Sequence, residues 1–305
     1  DWNRSAPADF ALPTEIWREF VARRTRYAET RAKLANGEVR EINDLITLNL
    51  DIRQFAQDVI ERCEGPDLLR AFWAAIEGVT VLDPTCGSGA FLIEAFEQLF
   101  AEYRRTVDRA REVGGPDLFD LDREILESNL FGMDLNSEAV EICRLSLWIK
   151  TARKGKVLTT LDANIVQGNS IVGHPSPLAA WQTRFPGPFA DGGFDVVIGN
   201  PPYVRQEWIA ADKPYLQEHY SAHDGAADLY VYFYELGINV LKPGGRLGFI
   251  VTNKWMRTGY GEPLRRFFGE SAWVESVVDF GHAKQIFPDA DVFPSILVAR
   301  RPDNS

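Results

Sequence analysis

The sequence predicts an α/β protein: a doubly wound, mostly parallel sheet of seven strands, preceded by a helical extension. Two observations carry this. Short β-branched apolar runs alternate with segments of helical period, the pattern of successive βαβ units. Two of those runs also end in turns suited to the carboxyl end of a strand. A glycine-rich turn follows Val79-Thr80-Val81-Leu82, and Asn200-Pro201-Pro202-Tyr203 follows Phe194-Asp195-Val196-Val197-Ile198-Gly199. In open α/β sheets ligands bind at that end.

Residues 1–76 read as the helical extension and 77–305 as the main domain. From about Pro13, Ile16, Phe20, Tyr27 and Leu34 are spaced for one helical face. A second helix spans about Asp51 to Glu61 through Ile52, Phe55, Ala56, Val59 and Ile60. Val79–Asp83 is the first strand and Ser88 to Tyr103 its helix, followed by a charged, glycine-interrupted insertion over Arg104 to Ser128. Leu130–Asp134 is the second strand. Asn136 caps the next helix, with Val140, Ile142, Leu145, Leu147 and Ile149 expected on its buried face. Ile165-Val166-Gln167 is the third strand, and the proline- and glycine-rich stretch His174 to Gly193 reads as a loop. After the fourth strand, Phe194–Ile198, the aperiodic stretch Tyr203 to Gly225 is expected to form a mobile lid. A helix over Asp228 to Leu241 turns at Pro243-Gly244-Gly245 into a strand ending at Thr252; Trp273–Phe280 and Ser295–Ala299 complete the sheet.

The chain has 305 residues, 45% of them apolar, with eight tryptophans, ample for a core. No apolar run reaches the roughly 18 residues of a membrane span, and no signal-like start is present. Cys63, Cys86 and Cys143 form no close pair, which points to a reduced cytoplasm and to neither a zinc site nor a disulfide framework. The net charge of −11 runs against broad contact with nucleic acid, which needs clustered lysine and arginine. The one basic stretch, from Arg18 to Lys33, is interleaved with glutamates like an ordinary solvated helix.

The two turns differ in chemistry. Two adjacent prolines hold Asn200 and Tyr203 with little freedom. A rigid amide beside a flat ring suits an exocyclic amine on a planar substrate. The other turn, Asp83-Pro84-Thr85-Cys86-Gly87-Ser88-Gly89, lets the backbone approach a ligand closely. It has neither the G-x-G-x-x-G spacing nor the lysine of a phosphate loop, so a pyrophosphate is disfavoured. Asp83 suits an ammonium or a hydroxyl.

Together these two turns resemble the S-adenosylmethionine-dependent amino-methyltransferases, and the DNA adenine-N6 enzymes carry both in this order. The likeness extends to Gly132-Met133-Asp134, Gly168-Asn169-Ser170, Asp228 to Phe233, Leu241 to Val251 and Phe280 to Val298. It is that of the Eco57I-like restriction–modification and phage-defence methylases, over roughly Leu45 to the carboxyl end. The resemblance implies a Rossmann-like fold whose last strand runs antiparallel and closes the sheet edge. It also implies methyl transfer from S-adenosylmethionine to N6 of an adenine extruded from double-stranded DNA.

On this resemblance Asp83 to Gly89, Asp134 and Asn169 bind the cofactor: Asp134 the ribose hydroxyls, Asn169 the adenine amine, Asp83 the methionine portion or the bracing of its own loop. Asn200 and the Pro201 carbonyl accept hydrogen bonds from the target amine. Tyr203 stacks on the base, a contact of about 1–3 kcal/mol, and Phe287 covers its other face or sits in the core. Asp228 and Tyr230 follow the family pattern, and packing or capping explains them equally. No metal and no membrane are implied, and most of the grip on DNA is expected from a recognition domain outside this chain. Two features depart from the family. No clear Thr-Pro dipeptide precedes Val79, and Asn stands at 169 where relatives often have Asp. The rivals are a glutamine methyltransferase acting on protein, an RNA adenine methyltransferase, and a catalytically silent module of a larger defence protein.

Overall fold

Strands apolar on both faces need helices on both sides, and that requirement fixes the architecture. The computed structural model describes residues 4–7, 11–12, 15–40, 52–113, 121–152, 160–281 and 293–303. Contacts divide the chain into two compact units, residues 1–63 and 64–305. The first holds α1 (Trp17–Ala35) and α2 (Ile52–Glu61). Of the face expected along α1, Phe20 is buried while Tyr27 and Leu34 are exposed.

The second unit begins with α3 (Pro66–Glu77), β1 (Val81–Asp83), α4 (Ala90–Glu112) and a short α5 (Leu121–Glu124) that runs into a π-turn. It continues through β2 (Leu130–Asp134), α6 (Ser137–Thr151), β3 (Ile165–Gln167), α7 (Pro177–Arg184), α8 (Pro186–Ala190) and β4 (Phe194–Gly199). It closes with α9 (Lys213–His219), α10 (Tyr230–Val240), β5 (Leu241–Thr252), α11 (Glu262–Ser271), β6 (Trp273–Asp279) and β7 (Pro294–Arg300).

All seven strands join one sheet in the order β3-β2-β1-β4-β5-β7-β6. β7 alone runs antiparallel to its neighbours, so the sheet is α/β, mostly parallel and doubly wound. Alternate strand residues face opposite layers. Leu82, Phe131, Met133 and Val166 join the aromatic-rich core around α10, whereas Val81, Leu130 and Ile165 join the core beneath α4 and α6. The chain winds outward from β1 to β3 and returns to β4 on the other side of β1. That reversal opens a crevice at the carboxyl ends of β1 and β4.

Several segments differ from their sequence reading. β7 is antiparallel as expected but lies between β5 and β6, so β6 is the edge. The charged stretch after Tyr103 continues α4 to Glu112. Its charges pair along the helix, Arg109 with Glu112 at 2.7 Å and Arg104 with Asp108 at 3.6 Å, while Thr106, Val107 and Ala110 are buried. The proline-rich loop holds two helices, because proline is well suited to a first helical turn. Ser176 caps α7 by accepting a hydrogen bond from Ala179 N at 3.2 Å, and Trp181 is buried. On α6 the buried stripe is Val140, Cys143 and Leu147, while Ile142, Leu145 and Ile149 are exposed. The helix is apolar over most of its circumference, so its sequence did not choose between the two stripes.

Candidate active site

The crevice is a cleft of about 560 Å³ whose walls come from the ends of β1 through β4 and the segment after β4. Its first wall is the glycine turn. Pro84 and Thr85 line the cleft, while Asp83 lies beneath it, only 1% exposed. Asp83 Oδ1 accepts a hydrogen bond from Thr85 N at 2.9 Å. Burial pushes its carboxyl up to about 7, against the opposing pull of the Thr85 hydrogen bonds. Asp83 therefore braces its own loop. Gly89 has φ +91° at the start of α4, and a Cβ there would sit 2.8 Å from Cys143 Sγ. Cys86 is buried, and a hydrogen bond with Cys143 followed by burial push its thiol well above the usual range. A thiol held neutral is no nucleophile. Ser88 is exposed on the turn and is not part of the cleft wall.

Asp134 joins the turn to β2. Its Oδ2 accepts from Gly87 N at 3.0 Å and its Oδ1 from Asn136 N at 2.9 Å. The cap of α6 belongs to Asn136, whose Oδ1 accepts from Glu138 N at 2.9 Å. Asp134 is half-buried and lines the cleft, and each carboxylate oxygen retains a lone pair.

After β3 the chain forms a tightly held loop. Asn169 lines the cleft, and its Oδ1 accepts from Ile171 N and Val172 N, both at 3.0 Å. Ser170 Oγ donates to Pro84 O at 2.6 Å, tying this loop to the glycine turn. Trp181 Nε1 donates to Ser170 O at 2.9 Å and Tyr220 OH to Ile171 O at 2.7 Å. Tyr215 OH accepts from Gly173 N at 2.9 Å and donates to the carbonyl of the same residue.

Asn200 leaves β4 with an exposed amide on the cleft wall, partnered by no described residue. Pro201 is buried and Pro202 lines the cleft. Tyr203 is 41% exposed. Its ring meets Tyr230 edge-on at 6.4 Å, and Tyr230 OH is 2.9 Å from Tyr260 OH. Tyr230 is thus the floor beneath Tyr203, and Asp228 is a staple: its Oδ1 accepts from Gln206 N at 3.2 Å. The stretch read as a lid is fastened at several points. Leu229 N donates to Val204 O at 2.9 Å, Lys213 Nζ donates to Gly225 O at 2.8 Å, and Ile209, Leu216 and Tyr220 are buried.

The structure thus brings Pro84, Thr85, Asp134, Asn169, Asn200 and Pro202 to one cleft, with Tyr203 adjoining. Phe287 lies outside the described residues. Sequence reading missed Leu135, Trp208 and Asp212, which also line the cleft. Leu135 and Trp208 are large apolar residues exposed by 69% and 85%, and Leu135 directly follows the acidic strand end, which was the available signal. Among the described residues no helix is long and apolar enough to cross a membrane, and no group of three or more His, Cys, Asp or Glu is placed to hold a metal ion.

Comparison with known proteins points to one family and one fold. The profile of the Eco57I restriction-modification methylases matches residues 128–287, and that of the RMKL-like methyltransferase domain matches residues 73–167. The Escherichia coli type II restriction enzyme and methyltransferase RM.Eco57I is 28% identical over 92% of this chain and 30% of its own length. The adenine-specific methyltransferase PglX of Streptomyces coelicolor is 27% identical over 75% of this chain and 21% of its own length. The chain therefore spans about a third or less of these relatives. Among solved structures, the type IIL restriction-modification enzyme MmeI in complex with DNA shares the fold, with a TM-score of 0.55, 16% identity, and coverage of 82% of this chain and 34% of that one.

Proposed function

Because the chain belongs to the Eco57I restriction-modification methylase family, we propose that it transfers a methyl group from S-adenosylmethionine to the exocyclic N6 of an adenine flipped out of duplex DNA, in a restriction–modification or phage-defence system. The observation that carries this reading is the single cleft shared by Asp134, Asn169 and Asn200. A donor site and an acceptor site for methyl transfer must open onto the same space.

The residues fit the cofactor. Asp134 offers free lone pairs to a ribose diol, Asn169 offers an amide to a purine edge, and Pro84, Leu135 and Ile171 give the apolar walls a nucleoside needs. A cleft of about 560 Å³ accommodates a molecule of that size. S-adenosylmethionine supplies an electrophilic methyl on a sulfonium when bound; the remaining work falls to the protein. The Asn200 carbonyl oxygen and the Pro201 carbonyl accept hydrogen bonds from N6–H. That favours a tetrahedral amine and frees its lone pair from the ring. Positioning and electrostatics of this kind suffice without a covalent intermediate. Tyr203, supported from below by Tyr230, stacks on the extruded base. Since this chain spans only part of its relatives, recognition of the DNA sequence is assigned mainly to a domain outside it.

Asn200→Ala tests the assignment. Turnover is lost while affinity for S-adenosylhomocysteine, measured by calorimetry, stays within a few-fold. An equal loss of both would contradict the role given to Asn200.

A further inference from the structure

We propose that Asn169 reads the cofactor's purine as a hydrogen-bond donor to ring nitrogen N1, and not as an acceptor for its exocyclic amine. The inference rests on the cofactor site proposed above and assigns the polarity of one of its contacts. Two backbone N–H groups, of Ile171 and Val172, converge on one atom of the Asn169 side chain at 3.0 Å each. Only the carbonyl oxygen of an amide can accept both, so the side-chain orientation is set by the loop and not by choice of label. Turning the amide over would aim its NH2 at two other donors and leave both backbone groups unpaired.

With the oxygen committed, Asn169 has Nδ2 left, and no described residue accepts from it. The side chain is exposed on the cleft wall. Its neighbours reinforce the polarity. The carbonyls of Ser170, Ile171 and Gly173 already receive hydrogen bonds from Trp181, Tyr220 and Tyr215. The backbone N–H groups of Gly168, Ile171, Val172 and Gly173 and the Ser170 hydroxyl also donate within the protein, so of the loop's side-chain groups the donor left facing the cleft is Asn169 Nδ2. Adenine carries two ring acceptors beside its amine donor, N7 on the five-membered ring close to the ribose and N1 on the far side of the six-membered ring; with the ribose assigned to Asp134, N1 is the one that reaches furthest along the cleft. A donor at Asn169 matches N1 and clashes with the amine. A carboxylate at this position keeps one oxygen on the two backbone amides and sets the other, in place of Nδ2, against N1, lone pair facing lone pair.

The test uses calorimetry with three ligands: S-adenosylhomocysteine, its 1-deaza counterpart and its inosine counterpart. The proteins are the unaltered protein and Asn169→Asp, which keeps both backbone hydrogen bonds. Unaltered protein should bind the 1-deaza ligand roughly 5- to 100-fold more weakly, the range for one buried mismatched contact. Asn169→Asp should bind S-adenosylhomocysteine at least about tenfold more weakly. It should also come to prefer the inosine ligand, whose N1–H can donate to the carboxylate. Indifference of the unaltered protein to 1-deaza substitution, or an Asp variant that binds the adenosine ligand as tightly or more tightly, overturns the inference and leaves the methyltransferase reading standing. Failure of all three ligands to bind the unaltered protein overturns both.

Discussion

Replacing Asp83 by asparagine should make the folded chain more stable at pH 8 and leave it nearly unchanged at pH 4. The carboxyl is 1% exposed and burial raises it from 3.8 to about 7, with the charge of Asp134 adding to the rise. A carboxyl raised on folding favours the protonated chain. Its contribution to stability is fully present below about pH 3.8 and is lost as pH climbs through about 7. Each tenfold change in proton affinity is worth about 1.4 kcal/mol, so the displacement amounts to about 4 kcal/mol. Asparagine keeps an oxygen for the Thr85 amide, which Asp83 Oδ1 holds at 2.9 Å, and never ionises. Urea unfolding of both proteins from pH 4 to pH 8 isolates the effect, since other titrating groups cancel in the difference. The stability difference should grow by roughly 1.4 kcal/mol per pH between about 4 and 7, then level off. A difference independent of pH, or a variant less stable at pH 8, would refute the claim that Asp83 is buried without a compensating charge.

Two further outcomes follow from the site. Gly89→Ala places a Cβ 2.8 Å from Cys143 Sγ at φ +91° and should destabilise the chain by roughly 2–3 kcal/mol; adding Cys143→Ala should recover part of that loss, and strictly additive effects in urea unfolding would exclude the contact. Tyr203→Phe should hold kcat/KM within a few-fold of the unaltered protein, whereas Tyr203→Ala should lose roughly tenfold to a hundredfold, the value of one base stack. A Phe variant as impaired as Ala would point to the hydroxyl and away from stacking.

What the sequence made legible was local. The strands, the glycine turn and the Asn-Pro-Pro-Tyr turn each announce themselves within about ten residues, and the doubly wound order brings two turns distant in sequence to neighbouring strand ends. What it hid depends on partners far along the chain or on competing roles of one residue. Proline signals both a break and a helix start, and at Pro177 and Pro186 the second role prevails because Trp181 and Pro188 gain burial there. The insertion of β7 between β5 and β6 is decided by seven paired positions with β5, none local. Asp83 could be read as facing a ligand or as bracing its loop; the pairing of β1 with β4 places it against Gly199, where no Cβ fits within 2.8 Å of its Oδ1. The resemblance implies Asn169 as an acceptor for the cofactor's adenine amine, and the claimants that the structure shows for its oxygen carry no such family signal. The claimants are backbone amides only two and three residues on, a pattern asparagine commonly makes in turns.

The proposed activity stands or falls on where the methyl group goes. Duplex DNA incubated with the protein and methyl-labelled S-adenosylmethionine, then digested to nucleosides, reports the acceptor atom directly. The account predicts label in N6-methyldeoxyadenosine, abolished by Asn200→Ala. Label in a methylated cytosine, in protein or in added RNA, or none in any acceptor, would contradict it.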